Sequence, residues 1–141
     1  MIMTATTSLV SKRPMKQMND GCGDIGELVA TLFLSREIAH REHLKTQSFA
    51  QHKTLEEFYN NVIEIADSIT EAYQGRNGLF DIPFLPNTYN GDIISVLQSL
   101  LDCVEGCRYQ AVDASDTAIQ NLIDEAVAIF LSTLYKLKNL K

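Results

Sequence analysis

The sequence is poor in residues that interrupt or staple a fold. Only three prolines and seven glycines occur in 141 residues, which excludes collagen-like and low-complexity classes. Cysteine is scarce and odd in number, three in all. A disulfide framework is therefore not expected, and a reducing compartment is. The longest unbroken apolar stretch runs only from Ala126 to Leu131, far short of the roughly 20 residues that cross a bilayer as a helix. No apolar secretory segment follows Met1, so the expected location is cytoplasmic. Acidic residues are missing from the first nineteen positions and from the last six.

What is present is ordinary globular material. Hydrophobic residues make up 45% and charged residues 21%. One domain of this size buries roughly two-thirds of its unfolded surface and needs no staple. The charge is segregated. Lys12, Arg13 and Lys16 lie near the start and Lys136, Lys138 and Lys141 at the end; between them, 18 acids face six Lys or Arg, a net −12. Such an acidic body disfavours nucleic acid as a ligand and favours cations. Residues 1–19 show no sustained period and read as a mobile basic tail. Residues 20–141 read as the folded domain.

The folded part is helical by period. Asp24 can cap a first helix from Ile25 to Lys45, with Ile25, Leu28, Val29, Leu32, Phe33 and Ala39 inward. Ser48 can cap a second helix to Gln74, stopped by Gly75, with Leu55, Phe58, Val62, Ile65, Ile69 and Tyr73 inward. Residues 76–91 form a long connection anchored by Phe80, Ile82 and Phe84, with room for a short extra helix. A third helix opens at Asp92, with Ile93, Val96, Leu97, Leu100, Val104 and Cys107 inward. A fourth runs from Thr117 to Leu137, with Ile119, Leu122, Ile123, Ala126, Phe130, Leu134 and Leu137 inward. No stretch of strand alternation competes. The expected fold is all-α, a four-helix bundle with a long crossover between helices 2 and 3, which is the ferritin-like variant.

All three histidines, His40, His43 and His52, fall around the first helix turn. Imidazoles at one level on adjacent helices can begin a metal site. At ~100° per residue, Glu56, Asp67 and Glu71 lie near 40°, 60° and 100° from His52, on one flank of the second helix. His52 and Asp67 are nevertheless about 22 Å apart along the axis at ~1.5 Å per residue. A second copy lying antiparallel across a two-fold axis resolves this. His52 and Glu71 share a midpoint between Asn61 and Val62, and so do Glu56 and Asp67. Two equivalent sites follow, each with His40, His52 and Glu56 from one chain and Asp67 and Glu71 from the other. The same axis sets Phe58 opposite Ile65 and Tyr59 opposite Glu64, so Phe58 and Ile65 are expected to be buried by dimerisation. Imidazole with carboxylate and no thiolate suits iron, manganese or zinc. Carboxylates favour Fe(III) over Fe(II), so such a site promotes oxidation.

The spacing from His40 through His52, Glu56 and Asp67 to Glu71 resembles the ferroxidase motif of the Dps proteins, ferritin-like mini-ferritins. Phe49, Glu57 and Tyr59 and the fourth helix extend the likeness over roughly residues 24–138. The resemblance implies an iron-binding protein that oxidises Fe(II) with peroxide or oxygen at a site shared across a two-fold. It also implies assembly beyond the dimer, to a dodecamer in the family. The chain differs from the family at Arg41, where the family carries Trp, and at Glu56, where it usually carries Asp. The phrase Glu71-Ala72-Tyr73-Gln74-Gly75 is similar to uncharacterised small proteins of marine tailed phages, which implies the cytoplasm of a host cell.

Plainer readings stand beside these. Histidines near a helix turn are ordinarily solvated or capping residues, and carboxylates on a helix flank are ordinarily a solvated face. His43 lies outside the motif and reads as an ordinary residue, with an accessory ligand role as the alternative. Cys22, Cys103 and Cys107 read as small buried hydrophobes. Lys12, Arg13 and Lys16 could touch DNA only weakly, through a tail whose ordinary state is solvated. The alternative to the iron protein is a non-catalytic helical interaction protein without metal.

Overall fold

The computed structural model describes residues 23–86 and 89–141. The basic tail over residues 1–19, with Lys12, Arg13, Lys16 and its DNA contact, lies outside the described residues, as does Cys22. Among the described residues are four helices and no strand: α1 Ile25–Lys45, α2 Phe49–Asn77, α3 Ile93–Ala111 and α4 Thr117–Asn139. None is long and apolar enough to cross a membrane.

Each helix starts where a short polar side chain accepts a backbone N–H that the first turn leaves unpartnered. The N–H of Glu27 donates to Asp24 at 2.8 Å and that of Gln51 to Ser48 at 3.2 Å. The N–H of Ser95 donates to Asp92 at 2.9 Å and that of Ile119 to Asp116 at 3.4 Å. The expected stop of α2 at Gly75 is corrected. The helix continues to Asn77, and Gly78, at φ 93°, is the residue whose backbone needs glycine.

The inward stripes meet in one core. Leu28, Leu32, Leu55, Phe58, Leu97, Ile123 and Phe130 lie in it. Phe58 and Phe130 pack edge-on, with ring centroids 5.0 Å apart. Two expected members fail. Phe33 sits at the rim, 36% exposed, and Phe84 is fully exposed; Phe80, Ile82, Leu85 and Tyr89 pack on the core instead. Cys103 is buried 3.9 Å from the Thr31 hydroxyl. Cys107 is buried too but disulfide-bonded, so reduced cysteine throughout is not what the structure has.

α1 packs on α2 and α3, and α4 packs on the same two helices; no other helix pair touches. The long connection determines how this ring is wound. Its Asp81 carbonyl lies against the first turn of α1, so close that a Cβ on Gly26 would sit 2.5 Å from it. Its Tyr89 hydroxyl donates to Glu42, in the last turn of α1, at 3.3 Å. The connection therefore travels the length of α1, about 24 Å from Gly26 to Glu42. α3 then starts at the end opposite to where α2 stops, and runs parallel to α2 across the bundle diagonal. The ion pairs Arg76–Asp116 (2.8 Å) and Lys136–Glu57 tie the two ends of α4 to those of the antiparallel α2. No helix occurs in the described part of the connection.

Phe58 and Ile65 do not wait for a second copy. They are 0% and 7% exposed within the single chain. At ~100° per residue they lie roughly 220–240° around α2 from His52, on its core face. On the His52 flank, Asn60 is exposed and Ile63 half-buried.

Candidate metal site

α1 ends and α2 begins at one end of the bundle, separated by residues 46–48. A hairpin this tight brings the last turn of α1 beside the first turn of α2. His43 is buried and His52 half-buried there. Their rings stack, with centroids 3.7 Å apart and planes at 19°. The backbone contacts are reciprocal. His43 Nδ1 donates to the His52 carbonyl, and His52 Nδ1 donates to the His43 carbonyl, both at 2.8 Å. A carbonyl oxygen only accepts, so each Nδ1 carries its proton. In the neutral ring each Nε2 then holds a bare lone pair. Metal-ligating imidazoles are commonly oriented by this same kind of backbone bond.

Glu56 lies one helical turn beyond His52. One ligand atom from each of His43, His52 and Glu56 falls within 4.8 Å of the other two. Lys53 sits on the carboxylate, Nζ to Oε1 at 3.2 Å. That hydrogen bond and the ammonium charge hold the Glu56 carboxyl below its ordinary value; His43 and His52 push the same way, against a raising effect of desolvation.

His40 stands beside this group rather than in it. Its ring stacks on Tyr59, with centroids 4.4 Å apart and planes at 27°, and its centroid is 6.1 Å from that of His43. Arg36 also lies over the Tyr59 ring, at 5.6 Å. The structure thus joins His52 and Glu56, as the spacing implies, but pairs them with His43. The signal that finds His43 is hairpin register. His43 and His52 lie at nearly equal separations, four and five residues, from Gln47 at the centre of the turn, whereas His40 lies seven residues before it. Asp67 and Glu71 are exposed farther along α2, and nothing within one chain brings them to His52.

Taken together, two imidazole nitrogens and one carboxylate form a donor set of borderline softness. It fits first-row divalent ions better than Mg²⁺ or Ca²⁺, which prefer all-oxygen shells.

No solved structure matches the chain. The chain is similar to an uncharacterized 14.6 kDa protein in the mobD-ri intergenic region of Enterobacteria phage T4, with 26% identity over 113 residues, 79% of this chain and 85% of the relative. That likeness is in keeping with the expected similarity to phage proteins. A family of unknown function, DUF5856, matches residues 43–137, a segment that starts at His43 and contains His52, Glu56, Asp67 and Glu71. With about two-thirds of its length matched, the chain belongs to the DUF5856 family.

Proposed function

We propose that the protein is a ferritin-like, Dps-like iron handler that takes Fe(II) as substrate and oxidises it at the α1–α2 end of the bundle. The observation that carries this function is the convergence of His43, His52 and Glu56 with both Nδ1 atoms committed to backbone carbonyls. Two features support it. The crossover that runs the length of α1 is the connection used by ferritin-like bundles. The strongly acidic body raises the local concentration of cations.

In this function His52 and Glu56 bind the ion, with a second imidazole from the end of α1. Asp67 and Glu71 of a two-fold-related copy complete the oxygen-rich shell. Asn60 and Ile63, whose midpoint is the same axis, would meet their counterparts across it. Carboxylate donors stabilise Fe(III), and peroxide or oxygen accepts the electrons. The phage relative supports expression in a host cytoplasm. Fe(II) oxidation by the full chain, compared with His52→Ala, tests the function: a lower rate in the variant is expected, and equal rates overturn it.

A second function has its own observation. The reciprocal His–carbonyl bonds satisfy both Nδ1 atoms without any ion, so the stacked pair is competent as a latch on the helix turn in a non-catalytic interaction protein. Protein that takes up no iron, manganese or zinc would favour the latch.

A further inference from the structure

We propose that His43, His52 and Glu56 of a single chain form a self-sufficient seat for one divalent first-row transition ion, with His43 in the role that the sequence spacing gives to His40. This rests on the metal-binding function above but does not need the second copy.

Three observations carry it. First, His43 and His52 face each other across the centre of the turn, and each Nδ1–H is fixed by the other's backbone carbonyl. Only Nε2 is left to each ring as a donor. Second, the His40 ring stands beside the group, stacked on Tyr59. It is not among the converging ligand atoms, while His43 and His52 already have ligand atoms within 4.8 Å of each other and of Glu56. Third, the remaining movement is small. Bonds of about 2.1 Å to a four-coordinate ion place donors about 3.4 Å apart; the ring nitrogens and carboxylate oxygen that converge here lie within 4.8 Å of one another, so no pair of them has more than about 1.4 Å to close.

An ion lies in the plane of each imidazole that binds it. The rings must therefore tilt away from their 19° stack, pivoting on the Nδ1–H bonds. The Lys53 ammonium already holds one oxygen of Glu56, Oε1, and its positive charge opposes a cation there. Lys53 is thus a competitor built into the site. Three protein donors leave at least one coordination position for water or a carboxylate from another chain.

Co(II) and Zn(II) are the probes, with the full chain, Co(II) read by its visible absorption and Zn(II) by calorimetry. His43→Gln is expected to weaken binding about tenfold or more. His40→Gln and the pair Asp67→Asn with Glu71→Gln are expected to leave it within about threefold, and Lys53→Ala to tighten it. Because His43 is buried, wild-type protein supplies an independent readout. Nitrogen NMR should show His43 and His52 Nε2 shifting with Zn(II) while both Nδ1 atoms keep their protons. Loss of binding in His40→Gln but not in His43→Gln overturns the assignment of His43. Loss in the Asp67/Glu71 pair overturns single-chain sufficiency. No Nε2 shift on Zn(II) overturns the seat itself. Intact Co(II) binding without Fe(II) oxidation overturns the oxidase function and leaves the seat standing.

Discussion

An alanine at position 26 sets two physical effects against each other. Gly26 is in the first turn of α1, where alanine should gain up to about 1 kcal/mol in helix propensity. The new Cβ, however, would lie 2.5 Å from the Asp81 carbonyl oxygen, 3.4 Å from Pro83 Cδ and 3.5 Å from Asp24 Oδ1. The oxygen is backbone and belongs to a connection pinned by Phe80 and Ile82 against the core. Restoring ordinary contact means moving that chain by several tenths of an ångström. Such overpacking costs about 1–3 kcal/mol, which outweighs the propensity gain. The expected net loss is about 1–2 kcal/mol, or a Tm lower by about 4–8 °C at about 4 °C per kcal/mol. Gly75 and Gly106 provide controls, since a Cβ at either meets nothing within 4 Å. Alanine there should stabilise by up to about 1 kcal/mol. Thermal unfolding followed by far-UV circular dichroism reads all three. If Gly26→Ala rises with the controls, the connection does not lie against α1 and the winding of the bundle is wrong.

Other perturbations have equally definite outcomes. Gln120 is buried; its Oε1 accepts from Arg108 Nε at 2.9 Å and its Nε2 donates to the Val112 carbonyl at 3.0 Å. Gln120→Leu should cost about 3 kcal/mol in denaturant unfolding, because it strands a guanidinium N–H and a helix-end carbonyl; a loss under about 0.5 kcal/mol, the range of an ordinary surface change, would contradict this. The depressed Glu56 carboxyl contributes stability above the ordinary carboxylate range that is lost as pH falls through its lowered value. Lys53→Ala should raise that value toward the ordinary one and shrink the contribution, the first of which a carboxyl NMR titration would show. Burial, followed by the nearby Glu42 charge, raises the Tyr89 hydroxyl above its ordinary value. Glu42→Gln should lower it in an alkaline ultraviolet titration with Tyr89→Phe as reference, and an unchanged titration would place the tyrosine elsewhere.

Helix starts were legible because each is a local chemical event. Asp24, Ser48 and Asp92 precede periodic apolar runs and do cap them. Helix ends were less so. Gly75 and Gly78 look alike in sequence, and only the positive φ at Gly78 separates them. The apolar stripe of α2 reads in sequence both as core and as interface, although a stripe faces one way; Phe58 and Ile65 belong to the core. His52 and Glu56 were legible from spacing on one helix. His43 is not, because only hairpin register points to it, and register depends on where the turn is centred. The path of the connection could not be read from composition. It rests on two tertiary contacts, at Gly26 and at Glu42, between residues far apart in sequence.

That path makes the backbone two helical hairpins joined by one connection. Residues 23–77 and 93–141 each carry a tight local turn, and they meet only through α1 on α3 and α2 on α4. The connection turns a bimolecular docking into an intramolecular one, with an effective concentration of order millimolar. Its Leu79 and Phe84 are exposed, 89% and 103%, and present a protease with cleavable side chains outside the packed helices. A cut there would leave the packing of helix on helix in place. In protein whose Cys107 disulfide is reduced, it would change the order of the folding reaction, so that stability depends on how much of each half is present.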